Sequence, residues 1–235
     1  MPSTSSRCAT RSKWCAHDTA RKAAVDYGLY LVTDAGLTDA RLHEVVTAAI
    51  SGGVGIVQLR EKATPTRAFV DRARALVALL RPRGIPLLIN DRVDVALASG
   101  ADGVHVGQSD MHVGDVRALM GPDAIVGLSV ETPAQAKAAE HAPVDYLGVS
   151  PVFATATKPD AAPPWGVAGL CGLRRMTRHV LVGIGGIGPV NAAEVLHAGA
   201  EGIAVVSAIC GAADPLAATR ALRAVVDEVR VPVRI

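Results

Sequence analysis

Aromatic side chains are scarce: two Trp, three Tyr and two Phe make up 3% of the 235 residues. The chain therefore lacks the stacking platforms on which single-stranded bases are bound. Charge of one sign is not in excess either. Lys and Arg number 24 and Asp and Glu 22, for a formal net charge of +2, so there is no electrostatic footprint for nucleic acid. Long apolar runs are missing. The longest purely aliphatic stretch, Ala75 to Leu80, falls far short of the roughly 20 residues that span a bilayer. Cysteines are few, at positions 8, 15, 171 and 210, and no pair has the two-residue spacing of a zinc knuckle or redox motif. Cys171 and Cys210 sit among apolar neighbours and read as small buried hydrophobes. A reducing cytoplasm fits this usage.

What is plentiful is aliphatic. Half of the residues are hydrophobic and only 20% are charged. Parallel sheets covered on both faces have this composition, because their strands are continuous Val, Ile and Leu runs. The first 26 residues differ from the rest. Arg7, Arg11, Lys13, Arg21 and Lys22 mix with Ser and Thr, and no acid precedes Asp18. A secretory signal would need an apolar stretch after its basic start, and none follows. A transit peptide stays open, and residues 1–26 read as a disordered tail outside the catalytic unit.

From Tyr27 onward, aliphatic runs alternate with helix-like segments. Strands are expected at Leu29–Thr33, Ile56–Leu59, Pro86–Ile89, Gly103–Val106, Ile125–Leu128, Tyr146–Val149, Leu181–Ile184 and Ile203–Val206. Their spacing averages about 25 residues, the length of one strand and one crossover helix. Asp39, Thr64-Pro65 and Thr132-Pro133 are helix starts. Related glycine turns recur at Gly52, Gly100 and Gly199, each ending a helix before a strand. Eight even units predict an α/β fold closed as a (β/α)₈ TIM barrel over residues 27–235. An open doubly wound sheet is the rival, and the unbroken rhythm favours closure.

Chemistry in such barrels gathers at the C-terminal ends of strands, and the unusual polar residues of this chain follow its aliphatic runs. The second strand runs out through Gln58-Leu59-Arg60-Glu61-Lys62. Alternation points Gln58, Arg60 and Lys62 to one side, which suits a phosphorylated ligand. Asn90-Asp91 follows the third strand, and Asp110 follows the fourth through His105-Val106-Gly107-Gln108-Ser109. Asp91 alone would read as a helix cap. Paired with Asp110 beside cations, it reads as half of a Mg²⁺ site. His105 reads as a polar wall residue, since Mg²⁺ favours oxygen. Ser129 ends the fifth strand, and Thr155-Ala156-Thr157-Lys158 after the sixth forms an anion clamp. Residues 160 to 164 read as a lid. Gly185-Gly186 after the seventh strand and Val206-Ser207 after the eighth match the usual barrel phosphate site, where glycine lets backbone N–H groups approach the oxygens. Two anion sites facing one mouth are expected.

Together these blocks, from about Tyr27 to Val229, resemble the thiamine phosphate synthase family. The resemblance implies two small-molecule substrates, a hydroxymethylpyrimidine diphosphate and a hydroxyethylthiazole phosphate, and one Mg²⁺ ion. It implies that Gln58 to Lys62, with Asn90, Ser129 and Lys158, hold the pyrimidine diphosphate. Arg60, Lys62, Ser129 and Lys158 would act in catalysis, and Asp91 and Asp110 would bind the metal. Thr155, Ala156, Thr157, Gly186, Val206 and Ser207 would hold the thiazole phosphate. Ser150 departs from the glycine more usual there. A thiazole tautomerase of the same barrel family is the nearest alternative, although no His stands beside Ser129. A non-catalytic sensor ranks lower. No nucleic-acid or membrane partner is implied, and homo-oligomerisation is left open.

Overall fold

A computed structural model describes residues 25–155 and 162–230. Among the described residues, eight parallel strands close into a barrel in sequential order. They are β1 (Leu29–Val32), β2 (Ile56–Leu59), β3 (Leu87–Asn90), β4 (Gly103–Val106), β5 (Ile125–Val130), β6 (Tyr146–Val149), β7 (Val180–Ile184) and β8 (Gly202–Val205). Pairing of Leu29 with Ile203, two residues on to Leu31 with Val205, shuts the cylinder. The helices are α1 (Asp39–Gly52), α2 (Thr66–Leu80), α3 (Val93–Ser99), α4 (Val113–Met120), α5 (Pro133–Ala138), α6 (Gly166–Arg174), α7 (Ala192–His197), α8 (Ser207–Cys210) and α9 (Pro215–Arg230).

Each strand feeds two cores. Leu29, Leu31, Val57, Leu59, Leu87, Ile89, Val104 and Val106 point outward and pack under the helices in one large apolar layer. Tyr30, Val32, Ile56, Leu88, Ile125, Tyr146, Val182 and Ala204 point inward and fill the cylinder. This follows from the period of two along a strand. It explains why the runs look continuously apolar in sequence: both parities are buried in the lower part of the barrel. The interior is a packed plug, so ligands are confined to its ends.

Local sequence sets the helix ends. Thr38, one residue before the expected start at Asp39, caps α1 by accepting from the Arg41 N–H. Thr132 and Gln135 form a reciprocal capping box at α5. The turn after α1 differs from expectation in register. The left-handed residue is Gly53, at φ 96°, while Gly52 is the last helical residue and lies so close to Thr219 of α9 that a Cβ would sit 2.5 Å from it.

The expected boundary at residue 26 is also corrected. Val25 packs against the inner core, and Asp26 is a structural anchor. Its carboxylate accepts from the Gly28 N–H at 2.9 Å and from Arg223 and Arg230 of α9 at 2.5 Å each. The barrel therefore begins at least two residues earlier than the composition shift implied, and residues 1–24 lie outside the described residues. No described helix is long and apolar enough to cross a membrane.

Asp26→Ala should remove this clasp between the chain entry and the last helix, at a cost of about 1–2 kcal/mol given its partial exposure. A urea titration is the check. An unchanged midpoint would mean that apolar contacts alone hold α9 in place.

Candidate active site

The two ends of the barrel differ in kind. At the N-terminal end, a groove of about 960 Å³ is lined by apolar residues such as Val54, Ile85 and Leu97 and by Asp26, Arg81, Asp102 and Asp123. At the C-terminal end, a cavity of about 730 Å³ is lined by Gln58, Arg60, Lys62, Asn90, Asp91, His105, Asp110, Ser129, Thr155, Gly185, Gly186, Val206 and Ser207. Thirteen residues drawn from seven strand ends converge there, so the chemistry belongs to this end.

The second strand end sorts its residues by parity. Gln58, Arg60 and Lys62 line the cavity as alternation required. Leu59 does not: it is fully buried in the outer layer beneath the helices. Glu61 also turns away, accepting from Arg72 at 2.8 Å and from Thr64 at 2.5 Å. The side chains of Leu59 and Glu61, expected with their neighbours to hold substrate, thus lie outside the cavity lining. Glu61 and Arg72, which also pairs with Asp39 at 2.6 Å, buckle the loop that carries Arg60 and Lys62. The Arg60 N–H is fixed in turn by the Thr33 hydroxyl at 3.0 Å.

Asp91 and Asp110 converge. Asp91 sits at φ 62°, which costs a non-glycine residue about 1–2 kcal/mol. The turn around it is closed by Arg92 N–H donating to the Asn90 carbonyl at 2.7 Å, and its own N–H donates to the His105 carbonyl at 2.8 Å. Asp91 does not cap the following helix: the cap position of α3 is Arg92, with no side-chain hydrogen bond. Asp110 is held by the Gly107 N–H at 2.7 Å. Burial first, then the hydrogen bond and like charge of Asp110, push the Asp91 carboxyl up to about 6, while Lys62 and Arg60 pull the other way. Lys62 Nζ lies 3.8 Å from the Asp91 carboxylate. Two oxygen-donor acids forced together, open to a cavity and flanked by cations, suit a hard divalent ion that completes its shell with water and phosphate oxygens.

Below them runs a line of polar groups that the motifs did not announce. Gln58 Nε2 donates to the Tyr30 hydroxyl at 2.7 Å, the Tyr30 and Tyr146 hydroxyls are 2.9 Å apart, Tyr146 meets His105 Nδ1 at 2.8 Å, and His105 Nε2 meets Ser129 Oγ at 2.8 Å. His105 is the polar wall residue expected, and burial lowers its pKa to about 4, so the ring is neutral. Its ring stacks on Tyr146 with centroids 5.4 Å apart. Glycines make the room: a Cβ at Gly127 would lie 2.2 Å from the Tyr146 ring, and one at Gly148 2.8 Å from His105.

Across the cavity, Gly185 and Gly186 have φ of 101° and 65°, and a Cβ on either would press against Pro151 or the Ala154 carbonyl at under 3 Å. Only glycine satisfies both the conformation and the space. Asn191, another residue the sequence reading passed over, staples this loop. It accepts from the Gly188 N–H at 2.8 Å and donates to the Gly186 carbonyl at 2.9 Å. Val206 and Ser207, at the start of α8, stand beside the loop in the same cavity. Thr155 lines the cavity, whereas Ala156, Thr157, Lys158 and part of the expected lid lie outside the described residues.

Fold and site define a closed (β/α)₈ barrel with one polar cavity at the C-terminal ends of its strands. A family model described as thiamine monophosphate synthase matches residues 29–209. The thiamine-phosphate synthase of Albidiferax ferrireducens is 55% identical over 215 residues, covering 91% of this chain and 97% of that one. That of Xanthobacter autotrophicus is 56% identical over 202 residues, covering 86% and 96%. Among solved structures, a thiamine phosphate pyrophosphorylase from Pyrococcus furiosus superposes with a TM-score of 0.80 at 38% identity, covering 88% of this chain and 98% of that one. The chain belongs to the thiamine monophosphate synthase family. A 3-hexulose-6-phosphate synthase, at 21% identity and a TM-score of 0.65, shares the barrel architecture.

In protein free of divalent metal, the Asp91 carboxyl should titrate near 6 by carbon-detected NMR. Asp110→Asn removes the like charge and supplies an amide donor, both of which favour the carboxylate form, so the Asp91 pKa should fall. No movement would show that the two acids do not face each other.

Proposed function

We propose that the protein condenses 4-amino-2-methyl-5-hydroxymethylpyrimidine diphosphate with 4-methyl-5-(2-hydroxyethyl)thiazole phosphate, forming thiamine phosphate and releasing diphosphate. What supports this reading is that one cavity brings together two different polar sets, each of a kind that suits an anionic group. Asp91, Asp110, Arg60 and Lys62 stand on one side, and the Gly185-Gly186 loop with Ser207 stands on the other. A single-phosphate ligand would use only one of them.

On this reading Gln58, Asn90 and Ser129 hold the pyrimidine, with Arg60 and Lys62 against its diphosphate. Thr155, Gly186, Val206 and Ser207 hold the thiazole phosphate. Lys158, with Thr157 and Ala156, is assigned from the family resemblance to the same two ligands. Asp91 and Asp110 would hold Mg²⁺, which when bound supplies positive charge against the diphosphate oxygens.

The residues then explain why no nucleophile–base pair is needed. The methylene C–O bond breaks with its electron pair leaving on diphosphate, whose growing charge Arg60, Lys62 and Lys158 stabilise. The electron-rich aminopyrimidine bears the positive charge left behind. The thiazole nitrogen, anchored by its phosphate across the cavity, donates its lone pair and forms the new C–N bond. His105 is not a general base in this scheme, because both ring nitrogens are engaged in the buried line beneath the site. The packed floor of Tyr30, Tyr146 and Val182 keeps water from the cation. Rate comes from placement and electrostatics. The reading implies small-molecule partners only, with no nucleic acid or membrane component, and the cysteine usage fits a cytoplasmic setting.

Mixing both substrates with Mg²⁺ should release diphosphate, and leaving out any one of the three should stop it. Release without the thiazole phosphate would point to simple hydrolysis and contradict the reading. Asp110→Ala should lower kcat/KM by at least about 100-fold, a loss of some 3 kcal/mol, with the melting temperature retained. Wild-type turnover by that variant without added metal would refute the metal assignment. Lys158→Ala should impair use of the diphosphate substrate more than the KM for the thiazole phosphate, and an unchanged diphosphate saturation curve would remove Lys158 from that role.

A further inference from the structure

The buried line from Gln58 to Ser129 has a direction. A tyrosine hydroxyl carries one hydrogen, and a neutral imidazole carries one N–H. If neither buried tyrosine hydrogen is to be left without an acceptor, five groups in series can satisfy one another in only two ways. In one, Gln58 Nε2 donates to Tyr30, Tyr30 to Tyr146, Tyr146 to His105 Nδ1, and His105 Nε2–H to Ser129 Oγ. The Ser129 hydrogen is then left over and turns into the cavity. In the other, every donor reverses: Ser129 gives its hydrogen to His105 and presents the cavity with lone pairs alone. The geometry has Gln58 donating through Nε2 to Tyr30 at 2.7 Å, which selects the first arrangement and leaves Gln58 Oε1 as an acceptor.

We infer that Tyr146, acting through His105, is a positioning residue that makes Ser129 a hydrogen-bond donor toward the ligand, so that the pocket selects a flat heterocycle with an amino donor toward Gln58 and a lone-pair acceptor toward Ser129. The inference rests on the reading that the pyrimidine lies over Gln58 and Ser129. Three features of the structure support it. Tyr30 and Tyr146 are each about 1% exposed, so no solvent competes for their hydrogens. A reversed or broken link would leave a buried polar group mispaired, at a cost that keeps the series in one sense. The partners of the His105 ring are two hydroxyls, each 2.8 Å from a ring nitrogen, so one donates to the ring and the other accepts from it.

Tyr146 carries no motif, and it touches no expected phosphate, metal or leaving group. Its ring is held by stacking on His105 and by an edge contact with Tyr30 at 6.0 Å between centroids. Phe at 146 would keep both contacts and remove only the hydroxyl.

The test measures the His105 tautomer by nitrogen NMR in the ligand-free full chain labelled at histidine, with the His105 signals identified by their loss in His105→Asn. Wild type should carry its proton on Nε2. Tyr30→Phe should leave it there, because Tyr146 then has His105 as its remaining acceptor. Tyr146→Phe should move the proton at least partly to Nδ1. The same variant should raise the KM for the pyrimidine diphosphate about tenfold, the effect of one misdirected hydrogen bond, with the KM for the thiazole phosphate within about twofold of wild type. A role confined to packing would leave the tautomer alone and affect the two substrates alike. A wild-type proton on Nδ1 that shifts to Nε2 in Tyr30→Phe would overturn the direction. Unchanged tautomer and kinetics in Tyr146→Phe would overturn the role. Absence of turnover by wild type itself would instead count against the proposed reaction, and the tautomer measurement would stand independently of it.

Discussion

The site depends on two acids held closer than their charges prefer. Asp91 is kept in place by a turn at positive φ and by its N–H to the His105 carbonyl, and Asp110 by the Gly107 N–H. Asp91 is half-buried and Asp110 is exposed at the cavity mouth, so these backbone bonds are what keep the pair from drifting apart. The strain in the Asp91 backbone and the repulsion between carboxylates are both borne by the rigid strands β3 and β4, whose pairing runs from Leu88 with Gly103 to Asn90 with His105. Such a pair takes up a proton or a divalent cation readily, and the surrounding cations orient whatever anion the ion carries. Stability is given up locally where charge is gathered, as is common for strained backbone at functional sites.

Closure of the barrel turns this local arrangement into a two-substrate pocket. Inward residues near the bottom of the strands are apolar or aromatic and seal the cylinder, whereas inward residues one or two positions higher are Gln58, Asn90, His105 and Ser129. The polar layer thus lies directly on a dry plug, in which electrostatic interactions are strengthened. The opposite wall is made by different means. There the backbone of Gly185 and Gly186 approaches the cavity, with Asn191 clamping the loop from behind. One wall is built from side-chain charge and the other from main chain and small residues, so the two walls offer different chemistry to a ligand.

Much of this was legible in the chain itself. The even spacing of aliphatic runs predicts all eight strands to within two residues at either end, because both cores recruit every strand residue. Alternation puts Gln58, Arg60 and Lys62 on the cavity side, and the same rule turns the side chains of Leu59 and Glu61 away from it. Tyr30 and Tyr146 carry no motif of this kind because a tyrosine in an aliphatic run reads as core, and a hydrogen-bond series across β2, β1, β6, β4 and β5 has no signature in any one segment. In a chain with three tyrosines, two at inward parity was the available signal. Asn191 was hidden for the same reason: its partners are backbone atoms. The entry at Val25 and Asp26 was misjudged because the composition shift marks where basic residues stop, whereas the fold begins where Asp26 meets Arg223 and Arg230.

The most direct test of the shared-ion site is anomalous diffraction from crystals of the protein soaked with Mn²⁺ and inorganic diphosphate. The account predicts one strong metal peak coordinated by carboxylate oxygens of both Asp91 and Asp110, with diphosphate oxygens completing its shell on the side of Arg60 and Lys62. A peak bound by one acid alone, or diphosphate seated in the glycine loop with no metal between the acids, would contradict it.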